Sequence, residues 1–582
     1  MNTLKIGFSI ILFVGFTRVG QSQIRSYPAN SLQESYMMLA NVHGIDGNRY
    51  YPQNPEEMKK AWGLRTHDTA ENVIDILLNY NRVKYAKDYF QNAHPELSGV
   101  IPLTPRLLRW TKRIGEKSLF KYPSEFYSWH DSQNPKTTYF VLNPIVNTEF
   151  GPQSSISQGF MTNAKGIEFF GRFNKNVSFT TQALEGVSYL KGYDLNYRRS
   201  FGFVPGVALA VRKIDTADMF KARASIYINL MGNESGTRKI QLAFGNDNNF
   251  IGYGYRSLIL SNFSPATTYL KLIYKLGPFR YQNLFQQMEA YSVVKKQVVL
   301  ERKYLALHRA TLDIAKPGNP SKKDWLEIGV TETILQGRTN GQLDLNYLNP
   351  IIFYRSIERD LGSPDNVMIS LDAKLKLKKG FLYSQLLLDE FRYHDLIRGN
   401  SRYNKFGVQF GGYCKLLDNK RFGSLVINGE YNKVRPYTYS HYSRFSNAAN
   451  YNQSITHPLE SNFREGIFQL KFKPSFVKGL LFTSTNMLAK KGFDFTGDST
   501  NYGANLRLNY SKNSPDPSFA TMFQGDVGTI FHSKSQLYFE LMPNMWMYLG
   551  YQYRKQTGHN PSTEKYIFLG FRWNWYEEQQ LF

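Results

Sequence analysis

Two absences narrow the class of protein before any motif is considered. The chain of 582 residues holds a single cysteine, Cys414, so it has no disulfide framework and no thiolate cluster for zinc or iron–sulfur chemistry. It also has no uncharged apolar run of about 18 residues, the length at which a transmembrane helix is considered. The sequence therefore predicts neither a disulfide-stabilised domain nor a helical membrane protein.

The N-terminus has the features of a secretory signal peptide. Lys5 precedes an apolar stretch at 6–16, and the stretch 20–22 offers small residues for cleavage near Gln23. A basic start, an apolar core of roughly 7–15 residues and a small-residue exit describe such a signal, whereas a membrane anchor needs about 20 apolar residues. We expect residues 1–22 to be removed on export.

The net charge of +25 favours an anionic partner. In an exported protein we expect that partner to be the phosphates of lipopolysaccharide in the outer membrane or an acidic surface polysaccharide, and not nucleic acid. The alternative is a set of dispersed, solvated lysines that bind nothing.

Residues 23–135 differ in pattern from the rest of the chain. Apolar residues recur with a period near 3.6 between Asp68 and Asn92, and the side chains of Asp68 and Thr69 are suited to capping that helix. We expect a shorter helix at Ser31–Asn41 and a linker with a basic patch at 95–135. The sequence therefore predicts a small helical periplasmic segment, packed under or partly inside the domain that follows.

Over residues 136–582 the polar and apolar residues alternate with a period of two. The segments 221–230, 371–378, 501–511 and 566–576 each place apolar side chains on one face, and the chain carries 40 Tyr and 42 Phe. Strands of about 9–11 residues suit a bilayer, aromatic rings suit its two interfaces, and a closed barrel leaves no backbone group unpaired. We predict an all-β fold, a transmembrane antiparallel β-barrel of about 16–18 strands. The polar tract 437–462 is expected to be an extracellular loop.

No catalytic or metal-binding motif is recognisable. The chain has no His-Glu-x-x-His and no Gly-x-Ser-x-Gly, and the stretch 252–257 lacks the third glycine of a dinucleotide site. Ser440 and His441 are sequence neighbours, whose side chains point to opposite faces of a strand. We therefore expect no enzymatic activity, no cofactor and no metal.

Three clusters of Asn, Asp, Arg and Tyr are candidate carbohydrate sites, because amides and charged groups bond sugar hydroxyls and aromatic rings stack on sugar faces. The candidate residues are Asp247, Asn248, Tyr253, Tyr255, Arg256, Asn349, Arg355, Arg435, Tyr437, Tyr439 and His441. A basic row formed by Lys374, Lys376 and Lys378 alternates with leucines and is expected to point into the barrel lumen. The alternative is that all of these are ordinary turn and lumen residues of a large barrel.

The motifs that carry these clusters resemble a known family. The stretches 250–261, 303–308, 348–355 and 435–441 are similar to those of the Wzi-type capsule-assembly barrels, and more closely to their Bacteroidota branch of gliding-motility proteins named RemB. The resemblance covers residues 140–580 of this chain. It implies a non-enzymatic outer-membrane barrel that attaches or assembles capsule or exopolysaccharide at the cell surface, or that acts in gliding with motility or secretion proteins.

Two other functions stay open at this point. A passive diffusion porin would have an open, ion-conducting lumen. A barrel-embedded lipid-modifying enzyme would show lipid turnover that a point mutation abolishes.

Overall fold

The computed structural model describes residues 127–130 and 138–574, apart from gaps at 175, 209–214, 233–237, 295–296, 319–324, 338–341, 352, 391–399, 420, 478–479, 517 and 543–544. The predicted signal peptide and the predicted helices at 31–41 and 68–92 lie outside the described residues. No helix among the described residues is both long and apolar enough to cross a bilayer.

The described residues form twenty-one strands, and eighteen of them make one closed antiparallel ring. Their bounds are β1 (Tyr127–His130), β2 (Tyr139–Gly151), β3 (Phe160–Phe173), β4 (Val177–Tyr189), β5 (Thr216–Gly232), β6 (Arg238–Asp247), β7 (Thr267–Leu276), β8 (Phe279–Val294), β9 (Gln297–Ile314), β10 (Leu326–Leu335), β11 (Asn366–Leu377), β12 (Gly380–Glu390), β13 (Lys405–Asn419), β14 (Gly423–Val434), β15 (Ala449–Asn450), β16 (Gln453–Ser454), β17 (Phe463–Lys473), β18 (Leu480–Phe493), β19 (Asp526–Met542), β20 (Met545–Gly558) and β21 (Ser562–Trp573). Each strand from β2 to β14 pairs with the next, β14 pairs with β17, and the series runs on to β21. The ring closes because β21 pairs with β2, so the predicted barrel of 16–18 strands is confirmed.

The seam of the barrel is widened by an extra strand. β21 pairs with β2 only over Val146–Phe150. The four residues of β1 pair with Tyr139–Leu142 of the same strand, next to the stretch that β21 covers. β1 therefore continues the wall on the side of β2 that faces away from β3, where β21 does not reach the first part of β2.

Long loops gather at one end of the barrel and short turns at the other. The end with the long loops, called the long-loop end, includes L2 (190–215), L3 (248–266), L5 (336–365), L7 (435–462) and L8 (494–525). L2 contains helix α1 (Gly192–Phe201), and L5 contains a 3₁₀ turn (Leu345–Leu348) followed by helix α2 (Tyr354–Leu361). The predicted loop at 437–462 falls within L7. Barrels of the outer membrane have this asymmetry, with the longer loops on the outside.

The outer face of the ring carries a belt of exposed apolar side chains, while polar and charged side chains point inward. Ile567 and Leu569 in β21 are 56% and 42% exposed, whereas Arg572 in the same strand is buried. The belt includes Phe150, Ile167, Phe220, Phe244, Leu312, Leu371, Phe410, Phe468, Leu488, Leu537 and Leu549. An apolar surface that surrounds a closed barrel is what a bilayer requires. Within these predicted segments, the strand residues 221–230, 371–377 and 566–573 agree with this register.

The prediction of a strand at 501–511 was wrong. This segment lies in L8, where Asn501, Asn505 and Asn509 each accept the backbone N–H two residues on, at 2.8, 3.0 and 2.9 Å. Such Asx turns compete with strand formation. Leu506 is accordingly buried among the loops and does not face lipid.

Candidate functional site

Loop L3 turns inward and fills the barrel below its mouth. Leu258, Ile259 and Phe263 have no solvent exposure, and they form a large cluster of buried apolar side chains with wall residues such as Leu284 and Leu305. Burial of this many apolar groups favours a fixed position for the loop, because each fully buried side chain contributes about 1.5–3 kcal/mol.

One inward-facing carboxylate fixes the tip of L3. Glu430 accepts the backbone N–H groups of Tyr255 and Arg256 at 2.6 and 3.1 Å, and it also accepts the Tyr383 hydroxyl at 2.6 Å and the Asn432 side-chain amide at 2.8 Å. Bonds to a charged acceptor are stronger than those between neutral groups. The loop backbone is therefore anchored directly to strand β14.

The glycine before this anchor has a steric reason. A Cβ atom at Gly254 would lie 2.4 Å from Oε2 of Glu430 and 2.9 Å from the ring of Tyr383. The backbone approaches the wall so closely that no side chain fits. This contact accounts for Gly254, the second glycine of the stretch 252–257. That stretch lacks the third glycine of a dinucleotide-binding motif.

The Arg256 side chain is fully buried beside a second acidic group. Its guanidinium lies 3.7 Å from the carboxylate of Glu465, which also contacts the ring of His457 at 2.9 Å. His457 belongs to L7, and burial lowers its pKa even though the Glu465 carboxylate opposes that shift. Arg256, a predicted binding residue, is thus a structural link between L3, L7 and β17.

Tyr253, also predicted from the sequence, joins a network of charges on the wall. Its hydroxyl donates to Glu327 at 2.7 Å and accepts from Arg309 at 3.0 Å, and Arg309 pairs with Asp372 at 2.5 Å. Lys374 lies 3.9 Å from Glu327, and its Nζ is 5.0 Å from the centre of the Tyr253 ring. Acidic wall residues therefore compensate the Lys374 charge.

The predicted inward row of lysines is correct only in part. Lys374 points inward and is buried, and Lys376 is half-buried on the same register. The assignment of Lys378 to the lumen was wrong, because β11 ends at Leu377 and Lys378 is exposed in the turn that follows. Alternation alone does not show where a strand ends.

Three predicted residues of L7 hold the loops together. Arg435 donates to the backbone carbonyls of Ser401 and Ala520 at 3.1 and 3.0 Å. The Tyr437 hydroxyl donates to the carbonyl of Asn501 at 2.8 Å, and the Tyr439 hydroxyl donates to that of Leu258 at 2.8 Å. Both tyrosines are fully buried, so neither is available to a ligand.

Loops L2, L7 and L8 interlock above L3. The Gln453 side chain accepts the N–H of Gly206 and donates to the carbonyl of Val207, both at 2.8 Å. Arg507 pairs with Glu460 at 2.6 Å and lies 3.8 Å from the centre of the Phe201 ring. Together with L3, these loops close the mouth of the barrel.

An aromatic cluster lies at the surface of this closed mouth. Tyr442 is 49% exposed, and its ring centre lies 5.0 Å from Tyr510 and 4.6 Å from His441. The Tyr510 hydroxyl donates to that of Tyr442 at 2.8 Å, and the Nζ of Lys405 lies 3.8 Å from the centre of the Tyr510 ring. Burial and the nearby Lys405 lower the pKa of His441 to about 3, so this ring is neutral at pH 7. Of this cluster the sequence identified His441 and missed Tyr442, its immediate neighbour.

Two predicted residues close the base of L3. Asp247 accepts the backbone N–H of Asn248 at 2.8 Å and lies 3.8 Å from Arg223. The Asn248 side chain donates to the carbonyl of Ser264 at 2.8 Å. The Tyr255 side chain is half-buried, and its ring centre lies 5.1 Å from Cζ of the Arg256 guanidinium. The remaining two, Asn349 and Arg355, lie in L5, and the charge of Arg355 contributes to the lowered pKa of His441 in the aromatic cluster.

A cavity of about 180 Å³ lies inside the barrel beside α1. Lys191 and Glu149 form an ion pair at 2.9 Å on its wall. Burial raises the pKa of Asp194 to about 7, with Lys191 opposing the shift. The lining also includes Phe160, Tyr193, Lys221 and Arg572. Among the residues that the structure describes, no group of three or more His, Cys, Asp or Glu side chains is placed to hold a metal.

The closed ring, the apolar belt and the folded loops together define an outer-membrane type of β-barrel with an occluded mouth. No protein-family model and no curated protein matches the chain. Among solved structures it is similar to Wzi of Escherichia coli, an outer-membrane protein involved in group 1 capsule assembly and a carbohydrate-binding β-barrel, with 12% identity, coverage of 75% of this chain and 84% of Wzi, and a TM-score of 0.47. It is also similar to OprD of Pseudomonas aeruginosa, with 10% identity, coverage of 74% and 94%, and a TM-score of 0.39.

These similarities assign no residue of this chain a role. The ring of strand pairings establishes the barrel independently of them. Nothing in them bears on the RemB branch or on gliding motility, which stay predictions.

Proposed function

We propose that this chain is a non-enzymatic outer-membrane protein that binds surface polysaccharide at its long-loop end and is not an open diffusion pore. The observation that carries the proposal is the closure of the mouth by L2, L3, L7 and L8. A barrel of 16–18 strands leaves an aqueous channel unless something fills it. Here the filling is hydrogen-bonded to the wall, through Glu430 above all.

The exposed aromatic cluster supports a polysaccharide ligand. The Tyr442 ring is held by Tyr510 and His441, so it loses little freedom when a sugar stacks on it. Asn509 holds the backbone beside it by donating to the Tyr442 carbonyl at 2.9 Å. A rigid ring bordered by polar groups at the outer surface is suited to the faces of sugar rings. Capsule or exopolysaccharide attachment is the role that fits such a surface.

The test is binding of the source bacterium's purified surface polysaccharide to the protein in nanodiscs. Tyr442→Ala should weaken binding several-fold, since an aromatic contact contributes about 0.5–1.5 kcal/mol, whereas Tyr442→Phe should retain most of it. Phe476→Ala is the matched control, because Phe476 is an equally exposed ring in a turn at the opposite end of the barrel. Equal binding by the wild type and the three variants would exclude the Tyr442 cluster as the polysaccharide-binding site. No binding by the wild type would contradict the proposal.

A deletion strain separates this role from gliding. Loss of retained polysaccharide with normal colony spreading supports the proposal. Loss of spreading with polysaccharide fully retained would overturn it in favour of a motility role.

A further inference from the structure

Three polar side chains form a row on the outer, lipid-facing side of the barrel wall. Register places His308 of β9 between Asn283 of β8 and Glu332 of β10. Side chains alternate along a strand, so His308 faces the same way as Leu312, and Glu332 the same way as Val330, both of which are exposed in the apolar belt. Uncompensated polar groups on this face would be costly in lipid.

Loop L5 covers this row from the outside. The Asn283 side chain donates to the carbonyl of Pro350 at 3.0 Å. The Glu332 carboxylate accepts the backbone N–H groups of Tyr354 and Arg355, at 2.9 and 3.1 Å, in the first turn of α2. A carboxylate at that position satisfies orphan N–H groups and complements the helix dipole. All three members of the row are buried as a result.

Apolar packing fixes L5 against the same wall. Tyr347, Tyr354 and Ile357 form a buried cluster with Ala306 and Ile334. Ala306 and Ile334 lie on the outward register of β9 and β10. The 3₁₀ turn and α2 therefore lie against the outside of the barrel wall.

The covered row lies within the height of the membrane belt. Six residues separate His308 from Ile314, where β9 ends. At about 3.3 Å per residue and a tilt of about 40°, the row stands roughly 15 Å from the short-turn end, inside an apolar band about 25 Å tall.

The part of L5 that precedes α2 turns a mostly apolar surface away from the wall. Ile351, Phe353 and Leu345 are 81%, 74% and 72% exposed. In water this surface would be costly, at about 25 cal/mol for each Å². On the lipid side of a membrane-spanning wall the surrounding medium is hydrocarbon, and the same side chains continue the belt.

We propose that L5 is a membrane-inserted clamp: residues 345–351 and Phe353 sit among the acyl chains of the leaflet at the long-loop end, and they shield the polar row Asn283–His308–Glu332 from lipid. This inference is independent of the polysaccharide role. It also reassigns Asn349 and Arg355 from polysaccharide binding to the clamp.

The test places a fluorescent probe on single cysteines at 351 or 353, in a Cys414→Ala background, with the protein reconstituted in liposomes. Nitroxide groups on the lipid acyl chains should quench these probes strongly, and aqueous iodide should not. A probe at 442, on the exposed cap of the mouth, is the matched control and should show the reverse. The protein does not cover the side chain at any of the three positions. A heat-dependent shift in gel mobility verifies that each variant is folded.

Quenching of the 351 and 353 probes by iodide and not by nitroxide lipids would overturn the proposal. A second variant keeps the test independent of labelling. Ile351→Asp with Phe353→Asp should lower the thermal midpoint in bilayers by several degrees, while Leu508→Asp, at an exposed position of L8, should leave it unchanged. Equal midpoints for the two variants would count against the clamp.

Discussion

The carboxylate of Glu430 accepts the backbone N–H of Arg256, and this contact holds loop L3 inside the barrel. The same carboxylate bonds the N–H of Tyr255, so two consecutive amides of the loop depend on one side chain of β14. The guanidinium of Arg256 then reaches the Glu465 carboxylate on the next strand of the ring. Closure of the mouth thus begins with a loop whose backbone and side chain are bound to two neighbouring strands.

Removing the acceptor should release L3. Glu430→Ala leaves two buried amides without a partner, at a cost of about 1–3 kcal/mol each. Trypsin should then cleave after Arg256, which is fully buried in the wild type. Glu430→Gln keeps an oxygen acceptor and should be cleaved at an intermediate rate. Resistance of the Glu430→Ala protein at Arg256, equal to that of the wild type, would show that other contacts hold the loop.

The glycine at the anchor gives a steric version of the same experiment. In Gly254→Ala the new methyl group meets Glu430, Gln409 and Tyr383, which are themselves fixed. We expect a loss of about 1–3 kcal/mol in stability, seen as a lower temperature for the gel-mobility shift. Gly429→Ala is the control, because a Cβ there meets nothing within 4 Å. Equal midpoints for the two variants would mean that L3 tolerates displacement from the wall.

The strand register makes a prediction about assembly. Leu549 and Leu569 belong to the outer belt, so an arginine at either position should impair insertion, at about 2–4 kcal/mol near the bilayer midplane. Leu508→Arg should assemble normally, because Leu508 lies in L8 and not in a strand. The measurement is the fraction of protein that folds into liposomes. Normal assembly of Leu569→Arg would contradict the register.

Asp194 predicts a pH dependence in loop L2. Burial raises the pKa of Asp194 from 3.8 to about 7, so between these values the folded state binds a proton that the unfolded chain has released. Its contribution to stability is present below pH 3.8 and is lost as pH rises through about 7. Asp194→Asn should therefore gain in thermal midpoint over the wild type as pH rises from 4 to 8. Parallel pH curves for the two proteins would show that the Asp194 carboxyl titrates normally.

The period of two was enough to predict the barrel, because lipid outside and polar groups inside impose alternation on every spanning strand. The same rule failed at 501–511. There Asn501, Asn505 and Asn509 recur every four residues, and each caps its own turn. This four-residue spacing of asparagines indicates consecutive Asx turns, and it outweighs the alternation of Leu506 and Leu508.

The candidate residues could be found from the sequence, but their roles could not. Tyr253, Arg256, Tyr439 and Arg435 have the chemistry of a sugar site, and the fold uses that chemistry to bind its own loops. Their partners, such as Glu430 for L3, are distant in the chain and are brought together only by the closed ring. The role of Arg355 could not be predicted either, since no local pattern indicates that L5 folds over the outside of the wall.

Ion conductance in planar bilayers tests the central claim, that the loops close this barrel, more directly than any other measurement. Purified wild-type protein, with its insertion verified by flotation with liposomes, should give no stable single-channel steps in concentrated KCl. A variant with residues 249–264 replaced by a short Gly-Ser linker should give frequent openings, because L3 no longer fills the lumen. Steady, uniform open steps from the wild type would contradict the account and identify the chain as a diffusion pore.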